Sequence, residues 1–334
     1  MSTDYNFKKV RALGLSSGGL DSILAAYILK KQNIEVEWIT FETPFFSSDK
    51  AGKAALFSKI PITVKNITGV YVEMLKKPAN GYGREMNPCM DCHALMFRLA
   101  GNVMKEKGFD FLFSGEVLGQ RPMSQTKSSL RYVEKHSGFE GYILRPLSAG
   151  KLPETICEQQ GMVDREMLLD ISGRSRKEQI ELARQFEITD YPSPAGGCLL
   201  TEKVYSARLR DMFEHENTCD EKQLNLLKYG RHFRLDQNTK IIVGRTSKDN
   251  ENIKKYASHD KHILMNVADY PGPVVVTPKN ANADILSLAG SICAGYSKAP
   301  DKIPVSIKIQ TDAGCKTIKV AGMPHQEVRK HMIY

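Results

Sequence analysis

No apolar run in this 334-residue chain is long enough to cross a bilayer, and its first residues hold no apolar signal-peptide core. Membrane insertion and secretion are therefore not expected; a cytoplasmic protein is. Internal repeats and low-complexity tracts are missing as well, which sets solenoid and fibrous architectures aside. The sequence has neither the Gly-Lys-Ser/Thr end of a Walker loop at a strand end nor the three spaced glycines of a dinucleotide fingerprint. It also lacks a second Cys-x-x-Cys to complement Cys89 and Cys92, so a four-thiolate zinc site is not supplied by motif. With 41% hydrophobic and 25% charged residues, the chain reads as an ordinary globular protein, long enough for about two domains.

What is present begins at Leu15. The run Ser16-Ser17-Gly18-Gly19-Leu20-Asp21-Ser22 lies between an apolar stretch and a helical pattern, Ile23 to Leu29. It reads as a strand ending in a glycine-rich loop whose backbone N–H groups, with the next helix N-terminus, hold a phosphate chain. The order Ser-Gly-Gly-x-Asp-Ser resembles the pyrophosphate loop of the PP-loop ATP pyrophosphatases, enzymes that adenylate a substrate oxygen. A plain Gly-Gly turn with a capping Asp or Ser is the alternative.

Short apolar runs at Val10 to Leu15, Val36 to Phe41 and Phe111 to Ser114 alternate with amphipathic stretches at Ser22 to Lys31, Cys92 to Lys107 and Ser175 to Phe186. Such alternation predicts an α/β fold, a parallel sheet with helical crossovers and its ligand site at the carboxyl ends of the strands. The turn-rich stretch from Asp190 to Gly197 ends the alternation and places a boundary near residue 200, giving domains 1–200 and 201–334. The second domain predicts a smaller α+β unit, with a helix from Tyr205 to Phe213, short apolar runs at Lys240 to Val243, Ile263 to Val267 and Val274 to Thr277, a helix from Ala283 to Tyr296, and an alternating run from Val305 to Ile309.

Asn87-Pro88-Cys89-Met90-Asp91-Cys92-His93 opens a helix, and two cysteines three apart there are close enough to share a metal, with the helix dipole expected to lower their thiolate pKa. Four readings fit the pair: attachment of a c-type haem, a zinc site, a redox dithiol, and an iron–sulfur cluster with three protein ligands. The cluster is preferred, its third ligand being Cys198, in Pro194-Ala195-Gly196-Gly197-Cys198, where glycines let backbone approach a bulky group. Taken alone, Cys198 is a small buried hydrophobe.

Further along stand Gly115-Glu116-Val117-Leu118-Gly119-Gln120, Ser124-Gln125-Thr126 and Leu144-Arg145-Pro146-Leu147. With the phosphate loop, these segments resemble, in order, the PP-loop domain of the tRNA 4-thiouridine synthetase family, over about residues 10 to 200. The resemblance implies an adenine nucleotide alpha-hydrolase-like fold and an ATP site built from Ser16, Ser17, Gly18, Gly19, Leu20, Asp21, Ser22, Gly115 and Gln120. Asp21 would help to hold Mg²⁺, and Asp21, Cys89, Cys92 and Cys198 would be catalytic. It also implies a [4Fe-4S] cluster on Cys89, Cys92 and Cys198, as in related tRNA thiolases that pair a Cys-x-x-Cys with a distant cysteine. In that mechanism a uridine carbonyl oxygen attacks the α-phosphorus of ATP. Sulfur, from a sulfide on the open iron or a cysteine persulfide, then displaces AMP. The family's usual N-terminal RNA-binding module and a rhodanese domain are not recognisable, so the sulfur donor, a cysteine desulfurase or inorganic sulfide, is left open.

The formal charge of +9 is uneven: residues 201–334 hold 21 Lys and Arg against 15 Asp and Glu, a net +6. That bias suits a polyanionic partner and equally a generic soluble surface. Tyr229-Gly230-Arg231-His232-Phe233-Arg234, Lys240 to Arg245 and Ala268-Asp269-Tyr270-Pro271-Gly272-Pro273 are similar in order to the NFACT-R RNA-binding domain, with Gly244-Arg245-Thr246 one substitution from its Gly-Arg-Asn signature. The resemblance implies tRNA contacts through Arg231, Arg234, Lys240 and Arg245, with Tyr229, His232 and Phe233 for stacking. Core aromatics and a solvated basic face are the other reading of the same residues.

Together these readings predict a cytoplasmic, ATP-dependent tRNA sulfurtransferase acting on a uridine, with tRNA and a sulfur donor as partners and no membrane. Another PP-loop adenylation, such as amidation or nitrile formation on a metabolite, and a non-catalytic RNA-binding factor are the alternatives. The nucleoside and the oligomeric state are not legible.

Overall fold

The computed structural model describes residues 9–192, 198–216, 219–311 and 314–334. It divides into two compact units, Met1–Cys198 and Leu199–Tyr334. Gly196 and Gly197, expected to ease the approach to Cys198, lie outside the described residues.

In the first unit β1 (Arg11–Leu15) leads into α1 (Leu20–Lys31), β2 (Glu35–Glu42), α2 (Asp49–Ser58), β3 (Ile62–Asn66), α3 (Thr68–Lys76), α4 (Cys89–Lys107), β4 (Phe111–Ser114), α5 (Lys127–Ser137) and β5 (Ile143–Leu144). Two further helices follow, α6 (Ile156–Gln159) and α7 (Lys177–Gln185). The five strands form one parallel sheet in the order β3-β2-β1-β4-β5. Strand order reverses beside β1, so the connections leaving β1 and β4 diverge and open a crevice at their carboxyl ends. The helix α1 is apolar on nearly every side and buried from Leu20 to Leu29, as a helix enclosed by the fold must be. It packs with Trp38, Phe111 and Phe113 in the main core. The helix α7 lies against α1.

The second unit holds α8 (Lys203–His215), α9 (Glu221–Leu226), β6 (Arg231–Arg234), β7 (Lys240–Val243), α10 (Ser247–Tyr256), β8 (His262–Val267), β9 (Val275–Pro278), α11 (Ala283–Gly295), β10 (Val305–Thr311), β11 (Gly314–Val320) and α12 (His325–Val328). Its six strands pair in the order β11-β10-β8-β9-β7-β6, every pairing antiparallel. The apolar helix α11, capped by Asn282, covers one face over Met265, Ile307 and Ile309. Leu226 and Ile253, from α9 and α10, cover part of the other, over Ile242, Leu264 and Val276.

Candidate active site

The loop between β1 and α1 is fixed by its own side chains. Ser22 Oγ accepts from the Ser17 amide at 3.4 Å, and Ser16 Oγ from the Gly18 amide at 3.2 Å. Gly18 has φ of +71°, and a Cβ there would fall 2.3 Å from the backbone of Lys50, so no other residue fits without displacing α2. Gly115, leaving β4, lies as close to the start of α1: its Cβ would stand 2.4 Å from the carbonyl carbon of Asp21. The two strand ends expected to share a ligand are in direct backbone contact. Helix α1 begins with no side-chain cap, so its first amides are left to the loop.

Asp21 sits where these segments meet. Gln120 Nε2 donates to its Oδ2 at 3.0 Å, Gln179 Nε2 donates to Gln120 Oε1 at 3.1 Å, and the Arg176 guanidinium approaches Asp21 Oδ1 to 3.9 Å. Burial raises the Asp21 carboxyl, while Gln120, Arg176 and Arg121 pull against that rise. Asp21 Oδ1, Arg176 Nε and Gln179 Oε1 are buried with no hydrogen-bond partner among the described residues. A buried carboxylate oxygen and a buried guanidinium N–H that both lack hydrogen bonds fit a ligand bringing a cation and anionic oxygens, as Mg²⁺ with a triphosphate does. Arg176 and Gln179 were missed by the sequence reading. They open α7, more than 150 residues beyond the loop, and only α7 packing on α1 brings them there.

The motif residues Glu116 and Arg145 are structural neighbours of the site. Glu116 accepts from His93 Nδ1 at 2.9 Å and from Arg145 Nε at 3.0 Å, and Arg145 also pairs with Glu134. Burial would raise the Glu116 carboxyl, but Arg145 and His93 overcome it and hold it at about 2. This buried bridge ties the first turn of α4 to the ends of β4 and β5.

Cys89 and Cys92 occupy that first turn, with Asp91 between them accepting from the Asn80 amide and the Tyr132 hydroxyl, each at 2.8 Å. The Cys89 thiol faces Asn87 Oδ1 at 3.1 Å, and the Tyr71 hydroxyl donates to Cys92 Sγ at 3.4 Å. The expected lowering of the thiol pKa by the helix dipole is not found. Burial pushes Cys92 up to about 12 and also raises Cys89, outweighing the helix terminus. Cys198 and Cys89 both add to the rise at Cys92 and at Tyr71, so each lies within electrostatic reach of these two groups. Three thiols so disposed fit a soft metal centre by donor chemistry. Among the described residues, no group of three His, Cys, Asp or Glu side chains is gathered tightly enough to hold a single metal ion. A cluster spreads its ligands more widely than one ion does.

In the second unit the conspicuous cations have partners within the unit. Arg234 forks onto Asp211 at 2.9 and 2.7 Å, and Lys240 joins the same carboxylate at 3.0 Å. Arg245 binds Asp249 at 3.0 Å, and Arg231 lies over the Tyr296 ring, 4.7 Å from its centre. The stacking reading fails for His232 and Phe233, which are fully buried in the sheet. Tyr229 already stacks on Tyr256. Gly244 serves packing, since Asn250 Oδ1 fills the place a Cβ would take.

Residues 7–158 match the family described as thiamine biosynthesis protein (ThiI), and residues 230–332 match the NFACT protein RNA binding domain. The chain is thus similar to the ThiI family over part of its first unit and to the NFACT RNA-binding domain over most of its second. Similar curated proteins include a probable tRNA sulfurtransferase of Oceanobacillus iheyensis, 27% identical over 44% of this chain and 37% of its own length. Another, from Mycoplasmopsis agalactiae, is 29% identical over 60% of this chain and 52% of its own. The chain thus spans about half or less of the length of these relatives. Among solved structures, a 4-thiouridine synthetase–RNA complex with bound ATP is 19% identical, covering 54% of this chain and 52% of that one at a TM-score of 0.34, a likeness too slight to build on. Asp21, Gly115, Gln120, Cys89 and Cys92 all fall inside the ThiI match, whereas Arg176, Gln179 and Cys198 lie between the two domains' matched spans.

Proposed function

We propose that this protein is an ATP-dependent tRNA sulfurtransferase that adenylates a uridine carbonyl oxygen and replaces it with sulfur. The observation that carries the reading is the cluster of Asp21, Arg176 and Gln179 at the phosphate loop, each with a buried atom that lacks a hydrogen bond among the described residues, in the same unit as Cys89, Cys92 and Cys198. The ThiI match and the names of the curated relatives support it.

In this reading Ser16 to Ser22 cradle the triphosphate, with the first amides of α1 taking phosphate oxygens. Asp21 Oδ1 would hold Mg²⁺, which supplies charge neutralisation on the leaving pyrophosphate, and Arg176 takes an anionic oxygen beside it. Gln120 and Gln179 keep the Asp21 carboxylate aimed. Adenylation has a chemical purpose: oxide is a very poor leaving group and AMP a good one. Cys89, Cys92 and Cys198 handle the sulfur; they would be the ligands of an iron–sulfur cluster, which supplies an iron site for a sulfide. Tyr71 donates its hydrogen bond to Cys92 and fixes that sulfur's orientation. The NFACT-R domain captures the tRNA.

The test is incubation of the anaerobically purified full-length chain with ATP, Mg²⁺, sulfide and unmodified tRNA, followed by mass spectrometry of the nucleosides. A thiolated uridine formed only with ATP is the expected result. Its absence, with iron and sulfide counts showing a loaded protein, rejects the reading.

A further inference from the structure

The antiparallel sheet of the second unit is covered unevenly. On one face α11 lies across β8, β10 and β11, so close that a Cβ at Gly290 would meet Ile318 and Val320 at 3.3 Å. On the other, Leu226 and Ile253 from α9 and α10 pack on Ile242, Leu264 and Val276, and that apolar cluster includes no residue of β10 or β11. Register shows what is left bare, because side chains alternate between the faces of a sheet. Lys308 pairs with Thr317 on one side and Asn266 on the other, Ser306 with Lys319, and Gln310 with Cys315, so these side chains share the face away from α11. Lys308, Gln310, Cys315, Thr317 and Lys319 are exposed there. No carboxylate answers the two lysines. The strands β8, β10 and β11 contain no Asp or Glu, and among the described residues neither ammonium group has a hydrogen bond or an ion pair. Arg234 and Lys240, by contrast, are tied to Asp211, and Arg245 to Asp249. Lys308 and Lys319 are diagonal neighbours on adjacent strands, about 7 Å apart. The bare face has no aromatic ring; hydroxyls, amides and one thiol make up the rest of it.

We propose that this bare face of β8, β10 and β11 is where a base-paired RNA stem docks, held by its sugar–phosphate backbone. The assignment rests on the reading above in which the second unit captures the tRNA. Two close, unpaired lysines with no acid on their strands attract a polyanion, and the cations of β6 and β7 are already spent on carboxylates. A face without rings has nothing on which to stack unpaired bases, which is how single strands are held. Its chemistry suits the other form of RNA. The lysines take phosphate oxygens, while Ser306, Thr317, Asn266 and Gln310 supply the short donors and acceptors that meet the 2′-hydroxyls a double helix displays in its wide, shallow minor groove. Such contacts position a stem without reading its sequence.

The experiment titrates the full-length chain with a tRNA transcript, a short RNA duplex and an oligouridine strand at several salt concentrations. Wild type is expected to bind the duplex more tightly than the single strand. Combined Lys308→Glu and Lys319→Glu is expected to weaken tRNA and duplex binding about tenfold or more at low salt, and to reduce the slope of log affinity on log salt by about two, at an unchanged melting temperature. The pair Lys308→Gln and Lys319→Gln, which removes charge without reversing it, falls between. Lys319→Glu alone gives about half of the slope change. Lys316→Glu is the control: it makes the same charge change on the same strand, but opposite Ile309 and so on the α11 side, and it binds as wild type does. Wild-type affinity and slope in the double variants, an equal loss in Lys316→Glu and Lys319→Glu, tighter binding of oligouridine than of duplex, or displacement of the duplex by polyglutamate as readily as by RNA overturns the assignment. Wild-type protein that binds none of the RNAs overturns the reading of the second unit as the tRNA-capturing one, and the assignment with it.

Discussion

The phosphate-loop cluster of the first unit and the basic cluster of the second treat their charged side chains differently. In the first, the fold brings Asp21, Arg176 and Gln179 together and leaves a buried atom of each without a hydrogen bond among the described residues. In the second, Arg234 and Lys240 close on Asp211, Arg245 closes on Asp249, and a buried Arg208 donates to the carbonyls of Leu227 at 2.7 Å and Gly230 at 2.9 Å. Arg208 joins α8 to the turn before β6; burial lowers its pKa to about 10. A cation beside an aromatic reads alike in sequence whether it reaches outward for a phosphate or inward for a carbonyl. Only the partner brought by the fold decides between them.

The sharpest way to break that contrast is at Asp21. Asp21→Ala is expected to reduce both pyrophosphate release and thiolation by more than about a hundredfold with little change in melting temperature, since on the proposed function the residue serves the nucleotide rather than the core. A variant that keeps its pyrophosphate release would show the cluster to be structural, like its counterparts in the second unit. Next in size, Cys89→Ala, Cys92→Ala and Cys198→Ala are each expected to abolish thiolation and iron content while sparing pyrophosphate release, with Cys157, Cys219, Cys293 and Cys315 dispensable. Full thiolation by iron-free protein would remove the cluster from the account.

Smaller effects distinguish the inward cations from the outward ones. Arg234→Glu faces Asp211 with a second carboxylate and is expected to destabilise the protein by about 2 kcal/mol in a denaturant titration. Arg231→Glu, which removes only a ring contact, is expected to leave stability nearly unchanged and to weaken tRNA binding with a shallower salt dependence. Equal tRNA affinity for wild type and Arg231→Glu at two salt concentrations would move the RNA contact elsewhere.

The gentlest probe is pH. In the second unit His232 and His262 are held below the ordinary histidine value, first by burial, so their unfolded forms take up protons that the folded ones refuse. Their contribution to stability is present above about pH 6.5 and declines as pH falls below it. In the first unit Glu116, held at about 2 against an ordinary 4.5, contributes stability that is lost only as pH falls from 4.5 toward 2. Hydrogen exchange at stepped pH should show peptides of the second unit loosening first; simultaneous loosening would contradict these assignments.

How much of this could be read from the chain alone follows the same division. Local signals were legible: Gly18 and Gly19 before an apolar helix, the turn at Cys89, and the alternation that gives β1, β2 and β4. Strands β3 and β11 were not, because β3 is largely exposed and its alternation is only Ile62 and Val64, while β11, apart from Val320, presents mostly polar residues to solvent. Two-residue β5 is too short to have one. The inward roles of Arg234 and Lys240 depend on Asp211, on a different element, and burial reversed the pKa shift that helix position alone suggested for Cys92. Nothing at Arg176 or Gln179 announces a site, since their meaning comes wholly from a long-range packing contact.

The backbone walls around Gly18 and Gly115 have a kinetic consequence. A loop pressed against Lys50 on one side, with Asp21 against Gly115 on the other, has little room to rearrange, so on the proposed function ATP would meet a finished seat rather than one that forms around it. In a rapid-mixing experiment, association without tRNA should then be a single phase whose rate rises linearly with nucleotide concentration and shows no plateau. On the proposed function, a slow step in turnover would then arise later, from the arrival and fitting of the RNA, and the time constant would be set by the macromolecular substrate rather than by the nucleotide.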